Sequence, residues 1–153
     1  PFIIMYGTIQ QKTYLAIVSD SVEELQEVLT RKEDTSSIGY IMGLSCMLGS
    51  ENIVKYLVRK GYNINSPGVT GDDLPLLIAT KSTSPEFVNF LLDLGADPFL
   101  ENSKGISAFK LCMNRNSAQL SEVADILFKN PNVVWKLRKD ALKLWSRVKL
   151  SLL

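Results

Sequence analysis

Two stretches of this sequence are copies of each other, and this repeat constrains the fold more than any other feature. When residues 51–65 are placed over residues 85–99, a numbering offset of 34, Gly61 falls on Gly95 and apolar residues fall on apolar residues. The apolar pairs are Ile53 with Phe87, Val54 with Val88 and Leu57 with Leu91. Self-similarity at a fixed period of this length is the signature of stacked structural repeats.

The residues before each of these stretches also match. Leu44, Ser45 and Cys46 of the first copy fall on Ile78, Ala79 and Thr80 of the second. The pattern predicts a short helix with small residues on one face, followed by a second apolar helix that ends at the glycine. Small residues let the two helices approach closely, and glycine adopts the left-handed conformation that ends a helix.

A further copy covers residues 106–131. Its first helix matches residues 74–79, with Ser107, Leu111 and Cys112 on Leu74, Ile78 and Ala79. Its second helix, SEVADILF at residues 121–128, arrives late relative to the other copies, so we expect an insertion in the turn. Asn130-Pro131 stands in place of the glycine exit. It should end this second helix, because proline disfavours helix at the residue before it.

A weaker copy covers residues 12–32, with a numbering offset of only 28 to the next copy. This offset places Leu25, Val28 and Leu29 on Ile53, Tyr56 and Leu57, and the missing residues fall in EDTSSIG. A single unit cannot bury its apolar face alone, so stacking should create one continuous core. We expect that core to include Phe87, Val88, Leu91, Leu92, Val123, Ile126 and Leu127.

With these repeats, the chain resembles the ankyrin-repeat family over about residues 11–131. That family has a period of about 33 residues, a β-turn with two antiparallel helices, and a T-P-L-H-x-A helix start. The stretch LPLLIAT keeps the proline and the alanine, at Pro75 and Ala79, although no copy keeps the histidine. The resemblance implies an all-α ankyrin-repeat solenoid in a single domain, residues 1–153. Its units with short β-turn connections would be about 11–35, 36–67, 68–101 and 102–131, with a C-terminal amphipathic capping helix at about 132–152.

The resemblance also implies which residues contact a protein partner, because turn tips and the exposed side of each first helix do so in the family. Those partner-binding positions are Ser37, Met47 and Leu48 in the second unit; Thr70, Asp73, Lys81 and Ser82 in the third; and Ser103, Lys104, Ile106, Asn114 and Arg115 in the fourth. Met47, Leu48 and Ile106 are apolar, as interface anchors often are. The alternative is that Met47 and Leu48 pack against the irregular first unit.

The last segment, after Pro131, has an apolar face and a basic charge. Its face consists of Val134, Leu137, Ala141, Leu144, Trp145, Val148 and Leu152. Residues 131–153 hold six of the chain's 17 basic groups but one of its 16 acids, so the rest of the chain is mildly acidic. We expect a capping helix. A basic amphipathic helix also suits an anionic membrane or a partner, which stays open as a minor alternative, and nucleic acid is the least favoured.

The residue types speak against catalysis. Histidine is absent, which excludes His-dependent triads and His-based metal sites, and two cysteines are too few for a zinc site. Cys46 and Cys112 fit packing positions. Glu23-Glu24 suits a solvated helix face, and Asp72-Asp73 suits a helix N-terminus rather than acid–base chemistry. We therefore expect no enzyme activity, no cofactor and no metal site.

The sequence thus predicts a non-enzymatic protein–protein interaction module with a protein partner that it cannot identify. With 46% apolar and 22% charged residues, the chain should be globular. No apolar run approaches membrane-spanning length and no secretion signal is evident, so we expect a cytoplasmic protein, with a monomer favoured. If the chain is complete, it would act as a stand-alone binder or inhibitor, and an immunity-type antagonist of a toxin or a peripheral membrane protein are the alternatives.

Overall fold

A computed structural model describes residues 2–30, 36–68, 74–113 and 117–151. Within these ranges the chain forms nine helices and no strand. The helices are α1 (Phe2–Val18), α2 (Val22–Leu29), α3 (Ser36–Leu48), α4 (Glu51–Arg59), α5 (Pro75–Ser82), α6 (Pro85–Asp93), α7 (Ala108–Met113), α8 (Ala118–Lys129) and α9 (Pro131–Ser151). None of these helices combines the length and the apolar character needed to traverse a bilayer.

The first eight helices form four pairs that stack side by side. Contacts join α1 to α2, α3 to α4, α5 to α6 and α7 to α8. Successive first helices also pack on one another, α1 on α3, α3 on α5 and α5 on α7, and we call them the first layer. The second helices form a second layer, in which α2 contacts α4, α6 contacts α8, and the Lys55 ammonium of α4 lies over the Phe90 ring of α6. The predicted all-α repeat solenoid is confirmed.

A serine precedes every second-layer helix, and three of these serines cap it directly. Ser21, Ser84 and Ser117 accept a hydrogen bond at Oγ from the backbone N–H three residues later. Such a side chain satisfies one of the N–H groups that a helix start leaves without a partner. Proline at the first position of α5 and α6 suits the same end, because its ring fixes a helical φ and it has no N–H to satisfy.

The glycine exits have the predicted conformation. Gly61 and Gly95 have φ angles of +95° and +96°, in the left-handed region. After each of them the chain makes the same bond, from Tyr62 N to Leu57 O and from Ala96 N to Leu91 O, both 3.0 Å. This bond satisfies a carbonyl group that the end of the helix would otherwise leave open. The central repeat read from the sequence is therefore a repeat of backbone geometry.

The core also follows the predicted register. Phe87, Val88, Leu91, Leu92, Val123 and Leu127 are buried as expected, while Ile126 is only partly buried against the core. The repeat partners of the first three, at Ile53, Val54 and Leu57, are buried as well. Ala79 and Cys112 occupy equivalent buried positions on α5 and α7, where a larger side chain would separate the helices.

The first unit differs from the prediction in register and extent. The predicted offset of 28 is wrong, because the end of α1 and the end of α3 match at an offset of 29. Asp20 and Gly49 both have positive φ, and the next residues, Ser21 and Ser50, make the same bond to a carbonyl five residues earlier. Leu25 and Val28 therefore correspond to Val54 and Leu57. Helix α1 also begins at Phe2, earlier than the expected unit start at residue 11.

The fourth unit corrects a second expectation. The extra residues do not delay the second helix, because α8 begins at Ala118, and its offset of 33 from the start of α6 at Pro85 is close to that of the central repeat. They lengthen the helix instead, from nine residues in α6 to 12 in α8. The exit at Asn130 is as predicted, since α8 ends at Lys129 and Pro131 opens α9.

Helix α9 contacts the repeats near its start, and its packing face is not quite the predicted one. Val133 is its buried contact and Leu137 packs partly against the core, while Lys136 pairs with Asp97 in the turn after α6. Ala141 of the predicted apolar face is exposed instead. The side chains of Leu144, Trp145 and Val148, and the whole of Leu152, lie outside the described part of the chain.

Candidate protein-binding surface

Two of the predicted contact residues of the second unit, Met47 and Leu48, lie at the end of α3. Met47 is 49% exposed and Leu48 is 44% exposed, although the neighbouring Ser45 and Cys46 are completely buried. These exposures argue against the alternative that Met47 and Leu48 pack under the first unit. Ser37 lies in the first turn of α3, and its side chain is outside the described part of the chain.

The equivalent positions of the third unit are polar. Lys81 and Ser82, at the end of α5, correspond to Met47 and Leu48 and are also exposed. The same face of the first layer therefore changes from apolar on α3 to polar and basic on α5. Thr70 and Asp73 of this unit, together with Asp72, fall outside the described residues.

The fourth unit presents its predicted residues on an ordered turn. Ser103 and Lys104 are exposed and Ile106 is partly buried. The Asn102 side chain accepts hydrogen bonds at Oδ1 from the backbone N–H of Lys104 (3.0 Å) and of Ile106 (2.9 Å), which fixes the turn. The Lys110 ammonium stabilises the same turn, because it donates a hydrogen bond to the Gly105 carbonyl and pairs with Glu101. Asn114 and Arg115 lie outside the described residues.

Three apolar residues of this surface were missed by the sequence reasoning. Tyr40 lies seven residues before Met47, which places both on one side of α3, and it is about half exposed. Val18, on α1, corresponds to Met47 at the true offset of 29, and it is also about half exposed. The predicted offset of 28 would have placed Ser19 there, so the register error concealed Val18. Tyr14 precedes Val18 by one helical turn and shares its exposure.

Together these residues form an apolar surface on the first layer, which we call the first-layer patch. It consists of Tyr14 and Val18 on α1 and of Tyr40, Met47 and Leu48 on α3. Helices α1 and α3 pack on one another, so the shared register places the two sets side by side. Tyrosine and methionine are enriched in the cores of protein interfaces, whereas charge collects at the rim. Lys81 and Ser82 stand at the rim position on the next helix.

Both thiols are placed for packing rather than for reactivity. Cys46 and Cys112 are buried and free, in the first-layer helices α3 and α7. Burial raises the pKa of the Cys46 thiol to about 12 and that of Cys112 to about 11. A thiol is nucleophilic only as the thiolate, which such values suppress at neutral pH. Among the described residues, acids and cysteines form no cluster suited to a metal ion. Glu23 and Glu24 lie on α2, and both are exposed, as expected for a solvated helix face.

A family model and two known proteins match parts of this sequence. Residues 14–102 match the family model described as "Ankyrin repeats (3 copies)". The phosphocholine transferase AnkX of Legionella pneumophila is 24% identical over 122 residues, which cover 71% of this chain and 13% of AnkX. The palmitoyltransferase AKR1 of Lachancea kluyveri is 26% identical over 122 residues, which cover 78% of this chain and 16% of AKR1. The chain thus spans less than a fifth of each of these relatives.

Proposed function

The chain belongs to the ankyrin-repeat family, and from that premise we propose that it acts by covering a protein partner's surface with its first-layer patch. Ankyrin repeats are typically protein–protein interaction modules, whose stacked units offer an extended binding surface. The proposal treats residues 1–153 as one non-catalytic domain. The partner-binding positions would be the patch together with the predicted Lys81, Ser82, Ser103, Lys104 and Ile106.

The observation that carries this proposal is the exposure of Met47 together with apolar residues at related positions of α1 and α3. Single exposed apolar residues are common on the surface of a monomer and need no explanation. Here Val18 and Met47 occupy equivalent positions on adjacent helices, and Tyr40 lies about two helical turns before Met47 on the same side of α3. A contiguous set of this kind is the usual mark of an interaction site.

The chemistry of the patch describes the partner's complementary surface. It would supply apolar side chains opposite Tyr14, Val18, Tyr40, Met47 and Leu48, and acidic or hydrogen-bonding groups opposite the α5 end. Hot spots in interfaces are enriched in tyrosine and lie away from the charged rim. Binding of this type blocks a surface without chemical change, so an inhibitor or a toxin antagonist is the role we propose.

The transferase activities in the names of the two relatives do not transfer to this proposal. The matched region is 13% of AnkX and 16% of AKR1, and the group-transfer chemistry named for those proteins needs residues that ankyrin repeats do not define. What the relatives support is a repeat module of the kind proposed here. A cytoplasmic location is part of the proposal, and two free buried thiols suit a reducing compartment.

The experiment compares capture by a patch variant with capture by a matched control. Tyr40→Asp/Met47→Asp places two carboxylates in the patch, whereas Phe128→Asp places one on an exposed apolar residue of α8. Proteins from the native cell that the unmodified chain and Phe128→Asp retain, and that the double variant loses, are the partner. We expect at least a hundredfold weaker binding of the purified partner to the double variant, because a buried unpaired charge is very costly.

The proposal fails if the double variant, shown to be folded by circular dichroism and its unfolding midpoint, retains the same proteins as the unmodified chain. It also fails if Lys81→Glu and Met47→Asp each leave the affinity of an identified partner unchanged. A second control, Lys60→Glu on the exposed end of α4, should leave capture intact because it lies off the first layer.

A further inference from the structure

The two ends of the helix stack carry opposite charge. At the first end, residues 2–30 contain one basic residue, Lys12, against four acids, Asp20, Glu23, Glu24 and Glu27. At the other end, residues 131–151 contain six basic residues against the single acid Asp140. Opposite charge on the two ends of one molecule favours an encounter between the first end of one copy and the last end of another.

The first end has an apolar groove as well as negative charge. Leu15 corresponds in register to Leu44, Ile78 and Leu111, which are all partly buried because a neighbouring unit covers them. Leu15 is 53% exposed instead. It lines a groove of about 200 Å³ between α1 and α2, and the described residues that also line it include Ile9, Lys12, Glu24, Glu27 and Val28. An exposed apolar groove with acidic side chains along it is a surface that a partner with apolar and basic groups can cover.

The last end offers the complementary face. Leu142 and Leu150 of α9 are each 72% exposed, and Trp135 is also largely exposed. Seven- and eight-residue spacings place these three residues on one side of the helix, opposite Val133, which packs on the body. Lys139 and Lys143 lie on that same side, and the Lys139 ammonium covers the Trp135 ring at 4.9 Å from its centre. This outward face of α9 is thus both apolar and basic.

We propose that the chain associates head to tail, with the outward face of α9 of one copy seated on the groove between α1 and α2 of the next. Leu142 and Leu150 would cover Leu15 and Ile9, and Lys139 and Lys143 would face Glu24 and Glu27. With 21 residues, α9 is about 31 Å long, so it can span the eight-residue α2 completely. The two faces are different, so the contact is heterologous and can add a third copy to a pair, and the assembly grows with concentration.

Sedimentation of charge-reversed variants tests this arrangement. The first-end variant is Glu24→Lys/Glu27→Lys and the last-end variant is Lys139→Glu/Lys143→Glu. We expect the unmodified 153-residue chain to grow beyond a dimer with concentration in low salt, and to dissociate in high salt because the pairs are exposed. Each variant alone should associate more than about a hundredfold more weakly, because like charges then face each other. An equimolar mixture of the two variants should recover association.

Matched controls carry the same change in charge elsewhere. Glu122→Lys/Asp125→Lys lies on the exposed side of α8, and Arg59→Glu/Lys60→Glu lies at the end of α4; both should associate like the unmodified chain. Circular dichroism checks that every variant folds. The proposal is overturned if the unmodified chain stays monomeric over the concentration range, or if the mixture stays as monomeric as its components. It is also overturned if the chain stays monomeric and pellets with vesicles rich in anionic lipid, while Lys139→Glu/Lys143→Glu does not pellet with them. The face would then bind lipid.

Discussion

The carboxylate of Asp20 caps a helix of the next unit by accepting a hydrogen bond from the backbone N–H of Ile53. The distance from Asp20 Oδ1 to Ile53 N is 3.0 Å, and Oδ2 accepts a second bond from Asn52 N, also at 3.0 Å. Ser50, the residue before α4, does not cap its own helix, because its hydroxyl donates to the Ile17 carbonyl at 2.7 Å. The second unit therefore donates three hydrogen bonds to the first unit, and these bonds hold the irregular first unit to the stack.

Replacing Asp20 should destabilise the whole stack. Asp20→Ala removes both cap bonds, which costs about 1–2 kcal/mol of the free energy of unfolding. It also places alanine at a φ of +51°, which adds about 1 kcal/mol of backbone strain. Asp20→Gly separates the two effects, because glycine adopts that φ without strain, so it should lose the cap contribution alone. Urea unfolding measures these differences; equal stability of Asp20→Gly and the unmodified chain would contradict the cap.

Alanine should have opposite effects at two glycines. At Gly95, where φ is +96° and no atom lies within 4 Å of an added Cβ, the cost is backbone strain of about 1–2 kcal/mol. Gly43 lies inside α3 with Ile78 Cδ1 at 3.6 Å from an added Cβ, an ordinary contact. Gly43→Ala should therefore stabilise the chain by about 0.5–1 kcal/mol, because alanine loses less entropy in a helix. The denaturation midpoints should move in opposite directions, and a shared direction would refute this account of the turns.

The attachment of α9 should depend on its first two turns. Val133→Ala removes two buried methyl groups and should cost about 2 kcal/mol, through lost apolar burial and the cavity it leaves. Leu142→Ala, at an exposed position, should change stability by less than about 0.5 kcal/mol when measured in high salt. If the Leu142 change proved as costly as the Val133 change, the second half of α9 would have to pack on the body.

Stability should fall at alkaline pH because of Cys46. Its thiol has an ordinary pKa of 9.0 and a pKa of about 12 in the fold, raised by burial. Above pH 9.0 the unfolded chain releases this proton while the folded chain keeps it. The contribution of the thiol to stability is therefore fully present below pH 9 and is lost as the pH rises toward 12. Cys46 contributes about 0.7 kcal/mol per pH unit to the slope at pH 9, and this contribution rises toward about 1.4 kcal/mol per pH unit at higher pH.

Cys46→Ala should remove that contribution and leave the contribution of Cys112. The comparison belongs between pH 9 and 10, because Tyr62 ordinarily titrates at 10.0 and its pKa is also raised, first by burial and then by the Cys46 charge. Unfolding free energies at a series of pH values give the slope. A slope unchanged by Cys46→Ala would show that this thiol is not buried in solution. A thiol reagent provides the control, because it should react with the buried thiols only after the chain unfolds.

The sequence predicted the repeats because they depend on local chemistry. Apolar spacing specifies which face of a helix is buried, and glycine permits the left-handed exit at residues 61 and 95 whatever surrounds it. The matched burial of Ile53 with Phe87 follows from the same periodicity. These features need only neighbours a few residues away, so they are legible in the order of the residues.

The registers of the first and fourth units were harder to predict, because their turns and helices differ in length from the central repeat. A shift of one residue in aligning the first unit concealed Val18, and the extra residues in the fourth unit could extend either a turn or a helix. Asp20 and Gly49 reveal the true register through their shared positive φ, which a sequence comparison by residue type does not detect. Serine before each second helix was a signal that could have corrected both alignments.

By itself, then, the sequence determined that helix pairs repeat, where the central pairs end and which of their side chains are buried. Only the tertiary structure decided that Asp20 caps the next unit, that Val133 rather than Ala141 attaches α9, and that five apolar side chains of the first layer are exposed. The physical reason is range: helix propensity and apolar periodicity act between residues close in the chain, whereas exposure depends on which neighbouring helix covers a residue. Two leucines with the same local pattern, Leu15 and Leu44, differ in exposure because a helix packs in front of only one of them.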